Sequence, residues 1–306
     1  MKKLLFILPL VICQFTNAQI AEVVSIKQIP MEKGSYHFPT ISPQGDYVLI
    51  SSTGYNGLVK IDLTSYETKI LSTAPSAGYY PTISADGKKI AFYEAFYKNN
   101  RRYTSVKSLD LSTPLLSRAI EEAVPSRNIT GIKITNGSLK IATAGKESQK
   151  KLTTDTEENT IPLLTIENKL MVIYKADKRI ELAPNGDDKS YYWASISPDG
   201  KKIVYNTAYP TNTWICDING KNPIALGRIG APQWIGNNHI IGMNDKDDNS
   251  KITSSSIEII DIKSKIRQNL TPSNIIATYP SASADCKTIA FDSPQGNVYI
   301  MNINLK

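Results

Sequence analysis

The segment Ser195-Ile196-Ser197-Pro198-Asp199-Gly200-Lys201-Lys202-Ile203-Val204-Tyr205 decides the fold of this 306-residue chain. A short apolar stretch ends at a serine, whose hydroxyl can bond to the backbone just ahead of it. Pro198 fixes φ at the first central position of a turn, and Gly200 supplies the positive φ that such turns require. The β-branched and aromatic residues that follow are typical of a second strand. The segment therefore predicts a β-hairpin.

Copies of this hairpin phrase recur along the chain. Close copies lie at residues 38–50, 80–92 and 279–291, and a weaker one lies at 231–241. Each hairpin precedes a third apolar stretch, such as 58–63, and in some units a short polar one, such as 68–71. Repeats of about 40 residues are typical of propellers and solenoids. Four antiparallel strands in each repeat form one propeller blade, so we predict an all-β propeller.

The number of blades depends on the middle of the chain, where the repeat is degenerate. Residues 132–142 keep the strand–turn–strand rhythm around Asn136-Gly137, a strong hairpin signal, and residues 161–182 contain three further strands. Counted separately, the units begin near residues 38, 80, 131, 161, 193, 231 and 279. The count predicts seven four-stranded antiparallel blades, or six if the two short middle units fuse.

The two ends of the chain are predicted to close the ring. The last unit contains only three of the four expected strands, whereas residues 22–29 form a predicted strand that belongs to no unit. Since an open sheet edge is a liability, we expect this N-terminal strand to pair with the last blade. The prediction is a single propeller domain over residues 19–306.

Residues 1–18 have the three parts of a secretory signal peptide. Lys2 and Lys3 precede an apolar run at 4–15, and Thr16-Asn17-Ala18 places small residues before a cut at Gln19. The apolar run is shorter than the roughly 20 residues that a permanent transmembrane helix needs, and no later segment is long and apolar enough. We therefore expect an exported protein, periplasmic or extracellular, without a membrane span.

The repeat resembles the TolB-like β-propeller family, whose phrase reads Ser-Pro-Asp-Gly-Lys-Lys-Ile-Ala. Residues 197–204 match it almost letter for letter, and residues 84–91 depart from it only at Ala85. The resemblance implies the propeller fold over about residues 20–306. It is not expected to extend to the α/β domain that precedes the TolB propeller, so the partnership of TolB across the envelope does not transfer. The α/β-hydrolase domain of prolyl-oligopeptidase relatives, with its Gly-x-Ser-x-Gly elbow, is not expected either.

Composition excludes several classes of function. The formal charge of +7 is spread along the chain without a long basic run, which argues against a nucleic-acid-binding protein. Two histidines and three cysteines leave little material for a zinc site, and no cofactor is predicted. Cys216 and Cys286 are expected to be unpaired thiols, and the protein is expected to be a monomer.

Few residues point to catalysis or metal binding. A Ser-His-Asp triad would need His37 or His239, and for both the structural interpretation is favoured. Asp245, Asp247 and Asn249 have the first-third-fifth spacing of a calcium loop, but Ser256 stands where the loop requires Glu. A solvated loop is favoured over this calcium site, so no catalytic or metal-binding residue is predicted.

Aromatic residues that precede the first strand of each blade are the best ligand candidates. These entry segments should line one mouth of the central channel, where rings with polar tips suit a glycan or a peptide. One repeat column contains Phe38, Tyr80, Trp193 and Tyr279 and is assigned to packing between blades. The position just before it in each repeat varies more in residue type and is assigned to ligand binding. The candidate binding residues are His37, Tyr79, Tyr192, Tyr36 and Tyr191.

The sequence thus favours an exported, non-catalytic propeller that binds a protein, peptide or glycan at one mouth of its channel. The alternative is a carbohydrate-active lyase or hydrolase on the same scaffold. Clustered acids or histidines at a channel mouth would favour the enzyme, whereas a neutral aromatic mouth would favour the binding protein.

We predict that the exported protein begins at Gln19, because the basic, apolar and small-residue segments occur in the order that signal peptidase requires. Intact-mass measurement of the secreted protein tests this cleavage. An N-terminus at Met1, or a lipid attached to Cys13, would contradict it.

Overall fold

The chain forms a ring of seven antiparallel sheets. The structure is a computed structural model that describes residues 19–31, 35–113, 118–152, 161–175 and 178–306. The predicted signal peptide lies outside these residues. Within them the chain forms two short 3-10 turns, Thr53–Tyr55 and Ser126–Asn128, and no helix that is long and apolar enough to cross a membrane.

The strands follow the repeats of the sequence. The first strand of the chain is β1 (Ala21–Gln28). Blade 1 comprises β2 (Tyr36–Ile41), β3 (Tyr47–Ser52), β4 (Asn56–Asp62) and β5 (Thr68–Ser72). Blade 2 comprises β6 (Thr82–Ile83), β7 (Lys89–Lys98), β8 (Arg101–Asp110) and β9 (Arg118–Pro125). Blade 3 comprises β10 (Ile129–Thr135), β11 (Ser138–Thr143) and β12 (Lys146–Lys151).

The remaining blades complete the ring. Blade 4 comprises β13 (Leu163–Glu167), β14 (Leu170–Lys175) and β15 (Lys178–Leu182). Blade 5 comprises β16 (Tyr191–Ile196), β17 (Lys202–Thr207), β18 (Asn212–Asp217) and β19 (Ile224–Gly227). Blade 6 comprises β20 (Gly230–Ile235), β21 (His239–Asp247), β22 (Ile252–Asp261) and β23 (Arg267–Asn269). Blade 7 comprises β24 (Thr278–Ala282), β25 (Thr288–Asp292), β26 (Val298–Leu305) and β1.

The prediction of seven blades is confirmed. The two middle units form separate sheets, each with three strands among the described residues, rather than one fused blade. The first strands of neighbouring blades contact each other, for example β2 with β24 and β16 with β20, so they form the inner ring around the axis. Apolar clusters fill the space between blades; one of them joins Ile41 and Val48 of blade 1 to Ala290 and Val298 of blade 7.

A buried serine holds the turn between the first two strands of a blade. Ser197 is fully buried; its Oγ donates to Asp199 Oδ1 over 2.6 Å and accepts the N–H of Lys202 over 2.9 Å. Ser84 makes the same pair of bonds with Asp86 and Lys89. The Ser-x-Asp-Gly phrase therefore fixes the turns of blades 2 and 5 with bonds made inside a few residues.

The ring closes as the sequence predicts. β1 pairs antiparallel with β26, from Ala21 opposite Leu305 to Gln28 opposite Tyr299. Gln268 of blade 6 reinforces this join, because its Oε1 accepts the N–H groups of Ile20 and Ala21 over 2.7 and 3.0 Å. Its Nε2 donates to the Ala21 carbonyl over 2.6 Å. The N-terminal strand is thus held by two neighbouring blades.

A β-bulge recurs near the start of the first strand. The pairing register shifts between His37 and Thr40, between Tyr192 and Ser195, and between Thr278 and Ser281. At the corresponding position of five blades a residue other than glycine has positive φ, between 44° and 56°: Phe38, Tyr80, Trp193, Ala231 and Tyr279. Left-handed backbone is strained for bulky residues and turns a side chain away from the regular pleat.

We predict that residues 22–29 are essential for stability. Their deletion strips the backbone bonds between β1 and β26, each worth about 0.5–1.5 kcal/mol net, and the sum approaches the total stability of a typical domain. Urea denaturation measures the loss.

Gln268→Ala and Gln28→Ala provide a matched pair for this closure. Gln268 makes three bonds to the N-terminal strand, whereas the side chain of Gln28 makes one exposed bond to Asn297. We expect Gln268→Ala to lower the free energy of unfolding by about 2 kcal/mol and Gln28→Ala by less than about 1 kcal/mol. Equal effects, or a truncated protein as stable as the parent, would contradict the role of the closure.

We also predict that glycine is more stabilising than alanine at position 80, which is the reverse of the usual order within a strand. At a left-handed position glycine relieves backbone strain of about 1–2 kcal/mol, so Tyr80→Gly should be more stable than Tyr80→Ala. Tyr36 has no positive φ and provides the control, since there the alanine variant should be more stable than the glycine variant by about 0.5–1 kcal/mol. The same order of stability at both positions would argue against the strained bulge.

Candidate functional site

One end of the propeller carries the entry to every inner strand. Because the strands of each blade are antiparallel, the loops between second and third strands lie at this end as well. The 3-10 turn at Thr53–Tyr55 is such a loop, and it brings Tyr55 next to the bulges of the inner strands. We call this end the channel mouth.

Aromatic rings from three blades pack together at the channel mouth. Phe38 stacks on Tyr55 with ring centroids 4.1 Å apart and meets Tyr279 edge-on at 4.8 Å. Tyr79 meets Tyr55 edge-on at 5.1 Å and Tyr80 at 4.8 Å. These separations are those at which aromatic pairs stabilise each other. We refer to Phe38, Tyr55, Tyr79, Tyr80 and Tyr279, together with Trp193, as the aromatic mouth.

Trp193 extends the aromatic mouth across the axis. The side chain of Trp193 in blade 5 lies near the hydroxyl of Tyr80, in the linker that enters blade 2, and opposes the rise in the pKa of Tyr80. Trp193 also packs, with Tyr279, against the apolar cluster between blades 6 and 7. Tyr192 lies beside Trp193, with ring centroids 5.1 Å apart. The rings therefore converge from well-separated parts of the sequence.

The tyrosines of the aromatic mouth are neutral hydrogen-bonding groups. Desolvation by the surrounding rings, with the neighbouring Tyr79 adding to it, raises the pKa of Tyr80 to about 12. Desolvation also raises the pKa of Tyr55, Tyr79 and Tyr279 above its ordinary value. All four phenols are thus protonated at physiological pH, so they offer O–H donors without charge.

The predicted ligand residues occupy different environments. Tyr79 is 46% exposed in the aromatic mouth, and Tyr192 is half-buried at its edge. Tyr36 packs against the cluster between blades 7 and 1. Tyr191 is buried in blade 5, where its hydroxyl accepts the N–H of Asn185 and donates to the carbonyl of Gly186, both over 2.9 Å. Tyr191 therefore lies away from the aromatic mouth.

His37 lies at the seam between blades 7 and 1. Its Nδ1 is 3.2 Å from Oδ2 of Asp292, a carboxylate with no exposed surface at the end of β25. Asp292 also accepts the N–H of Phe38 over 3.0 Å and the hydroxyl of Thr278 over 2.5 Å. Burial raises the pKa of Asp292, and these hydrogen bonds oppose the rise.

The column that was assigned to packing between blades supplies rings both to that packing and to the mouth: Trp193 and Tyr279 pack against the cluster between blades 6 and 7. Phe38, Tyr80 and Tyr279 were expected to pack between blades, but Tyr80 is 52% exposed and all three meet at the mouth. Tyr55 lies outside the repeat column and carried no signal. The left-handed φ that turns the rings to the mouth cannot be deduced from residue type.

The residues with calcium-loop spacing do not converge on one point. Asp245 is buried in β21, where its Oδ2 accepts a hydrogen bond from Arg228 over 2.8 Å. The Asp247 carboxylate accepts the N–H of Asn249 over 2.9 Å at the exposed end of the hairpin. His37 and His239 lie at opposite ends of the ring, since His239 starts β21. Among the described residues no three of His, Cys, Asp and Glu are grouped to hold a metal ion.

Comparisons with known proteins support the fold alone. No family model matches the chain, and no curated protein matches it. The WD40 repeats of RRP9 align with a TM-score of 0.63 and 10% identity, covering 94% of this chain and 99% of that one. TolB from Acinetobacter baumannii aligns with a TM-score of 0.53 and 15% identity, covering 83% of this chain and 58% of that one.

An oligogalacturonate lyase from Vibrio parahaemolyticus aligns at 12% identity, covering 89% of this chain and 79% of that one. The TM-score of this alignment is 0.48. At identities this low, the neighbours support a β-propeller scaffold shared by proteins of different activities.

Proposed function

We propose that the protein is an exported binding protein whose aromatic mouth captures a peptide, protein or glycan chain. The observation that carries this proposal is the set of neutral aromatic rings that contact one another at one end of the channel, of which Tyr79 and Tyr80 are exposed. Export is supported by the signal-peptide pattern of residues 1–18.

The exposure of the rings argues against a role in packing alone. Aromatic residues that pack within and between the blades, such as Phe92 and Phe291, have no exposed surface. Tyr79 and Tyr80 are 46% and 52% exposed, although each contacts neighbouring rings. Packed rings that remain half-exposed to solvent provide apolar contact area that a ligand can cover.

The rigidity of the rings favours ligand binding. Phe38, Tyr80 and Tyr279 are held by a strained backbone and by one another, so little side-chain freedom remains to be lost when a ligand binds. Backbone strain of this kind is concentrated at functional sites, because the surrounding structure must maintain it. The phenols of Tyr80 and Tyr279 add hydrogen bonds to sugar hydroxyls or peptide groups without requiring a charged ligand.

A second exposed aromatic group widens the surface. The hairpin of β7 and β8 ends at the same side of the ring, and it carries Phe96 and Tyr97, which are 45% and 70% exposed. Phe96 stacks on Tyr103 of the opposite strand at 5.8 Å. An extended ligand that spans the aromatic mouth and this hairpin would contact both.

We predict that the double variant Tyr79→Ala/Tyr80→Gly weakens ligand binding by 1–3 kcal/mol, about 5- to 150-fold in Kd. Glycine is used at position 80 so that the left-handed backbone is not strained further. Glycan and peptide arrays identify the ligand of the parent protein, and calorimetry then compares the two proteins.

Tyr66→Ala is the matched control for this variant. Tyr66 is 38% exposed in the turn between β4 and β5, which lies at the opposite end of the ring. Its loss should leave Kd unchanged. Unchanged affinity in the double variant would overturn the proposal, as would a stability loss of about 3–5 kcal/mol per ring, which is typical of a packed core.

A further inference from the structure

Ser35, His37 and Asp292 form a hydrogen-bonded line at the edge of the aromatic mouth. Ser35 Oγ is 2.7 Å from His37 Nε2, and His37 Nδ1 is 3.2 Å from Asp292 Oδ2. Ser35 and His37 are two residues apart in extended chain, so both side chains point to the same face. Ser35 is exposed, whereas 15% of the His37 side chain and none of the Asp292 side chain is exposed.

The contacts of Asp292 determine the tautomer of His37. Its carboxylate is surrounded by donors, namely His37 Nδ1, the Phe38 N–H and the Thr278 hydroxyl, so it acts as an acceptor. The proton of neutral His37 therefore sits on Nδ1, facing Asp292. Nε2 is left as a base, and it accepts the hydrogen of Ser35 Oγ. This is the arrangement that activates a serine nucleophile.

Two other seams of the ring are built without such a line. At the position that corresponds to Asp292, Ser51 lies against Gly78, and Asn206 donates its amide to the carbonyl of Ile229 over 2.9 Å. These two seams hold together without a histidine. The propeller fold alone therefore does not impose the line found between blades 7 and 1.

We propose that this line is a serine esterase centre, in which Ser35 is the nucleophile, His37 the general base and Asp292 the positioning residue. This inference goes beyond the proposed binding function, because it assigns bond cleavage to residues outside the aromatic mouth.

The proposed reaction is the hydrolysis of an ester. His37 Nε2 takes the proton of Ser35 Oγ as Oγ bonds to the ester carbonyl carbon. The bond from that carbon to the alcohol oxygen then breaks, and the alcohol leaves with the proton from His37. Water next attacks the acyl-serine, giving its proton to His37, which returns it to Ser35 as the carboxylic acid departs. The net change is ester plus water to acid plus alcohol.

The neighbouring rings indicate the class of ester. The ring of Phe38 lies 5.8 Å from that of His37, and it stacks on Tyr55 at 4.1 Å. An aromatic or other flat apolar group attached to the ester can pack on this surface while its carbonyl reaches Ser35. The substrate class is thus an uncharged ester with an aromatic acyl or alcohol group.

A fluorophosphonate probe and p-nitrophenyl acetate test the proposal on the purified protein. We expect the probe to label Ser35, identified by peptide mass spectrometry, and the protein to hydrolyse the ester. Ser35→Ala and His37→Ala should each reduce the enzymatic rate at least about 100-fold, as expected for a serine and a base that act as one unit. Ser52→Ala is the matched control, since Ser52 is an exposed serine at the same end of the ring whose Oγ bonds to a backbone carbonyl.

The outcomes separate catalysis from a purely structural seam. Thermal midpoints within about 2 °C of the parent for Ser35→Ala, together with lost labelling and lost hydrolysis, would support the esterase. Asp292→Asn should slow hydrolysis and probe labelling while leaving Ser35 in place; where this variant does not fold, the Ser35 and His37 variants decide. Absence of labelling at Ser35, or equal labelling in His37→Ala, would overturn the proposal. Ligand binding by the aromatic mouth is measured separately, so it can fail or succeed independently.

Discussion

The pairing of β1 with β26 is the interaction on which the rest of the ring depends. It places both ends of the described propeller in blade 7, and Ile29, just after β1, donates its N–H to the carbonyl of Val298 over 2.9 Å. Blades that contact only their neighbours cannot resist opening at a free edge. The closure also sets the distance between β2 and β25, and so the contact between His37 and Asp292.

A local constraint of the repeat shapes the surface of the mouth. The bulge forces one residue of each affected blade into left-handed backbone, which costs of order 1–3 kcal/mol per residue. The blade tolerates this strain because backbone pairing resumes just after the bulge. Thr40 pairs with Leu49 in blade 1, and Ser281 pairs with Ala290 in blade 7. Residues such as Phe38 and Tyr80 then face the channel opening instead of the sheet.

The sequence predicted the features that arise from local chemistry. The Ser-x-Asp-Gly turn closes through bonds among neighbours, as at Ser197, so the hairpins, the blade count and the N-terminal closure could be predicted from residue type and spacing. The site could not, because its contacts cross the chain: Asp292 is 255 positions from His37. The packing role expected for Phe38 and its equivalents was based on the recurrence of aromatic residues at this repeat position. Such recurrence does not reveal the sign of φ, which decides where the ring points.

The seam between blades 7 and 1 lies beside the blade that closes the ring, and it contains a pair of titratable side chains, His37 and Asp292. Repeats constrain residues at equivalent positions to similar packing, whereas Asp292 of blade 7 occupies the position at which blades 1 and 5 contain Ser51 and Asn206. A buried carboxylate is tolerated only where donors surround it, and here His37, Phe38 and Thr278 supply them. Because those donors come from both blades, the carboxylate is stable only in the closed ring. Closure and site are therefore coupled: the bonds that hold the termini also maintain the one arrangement in which His37 can act on Ser35.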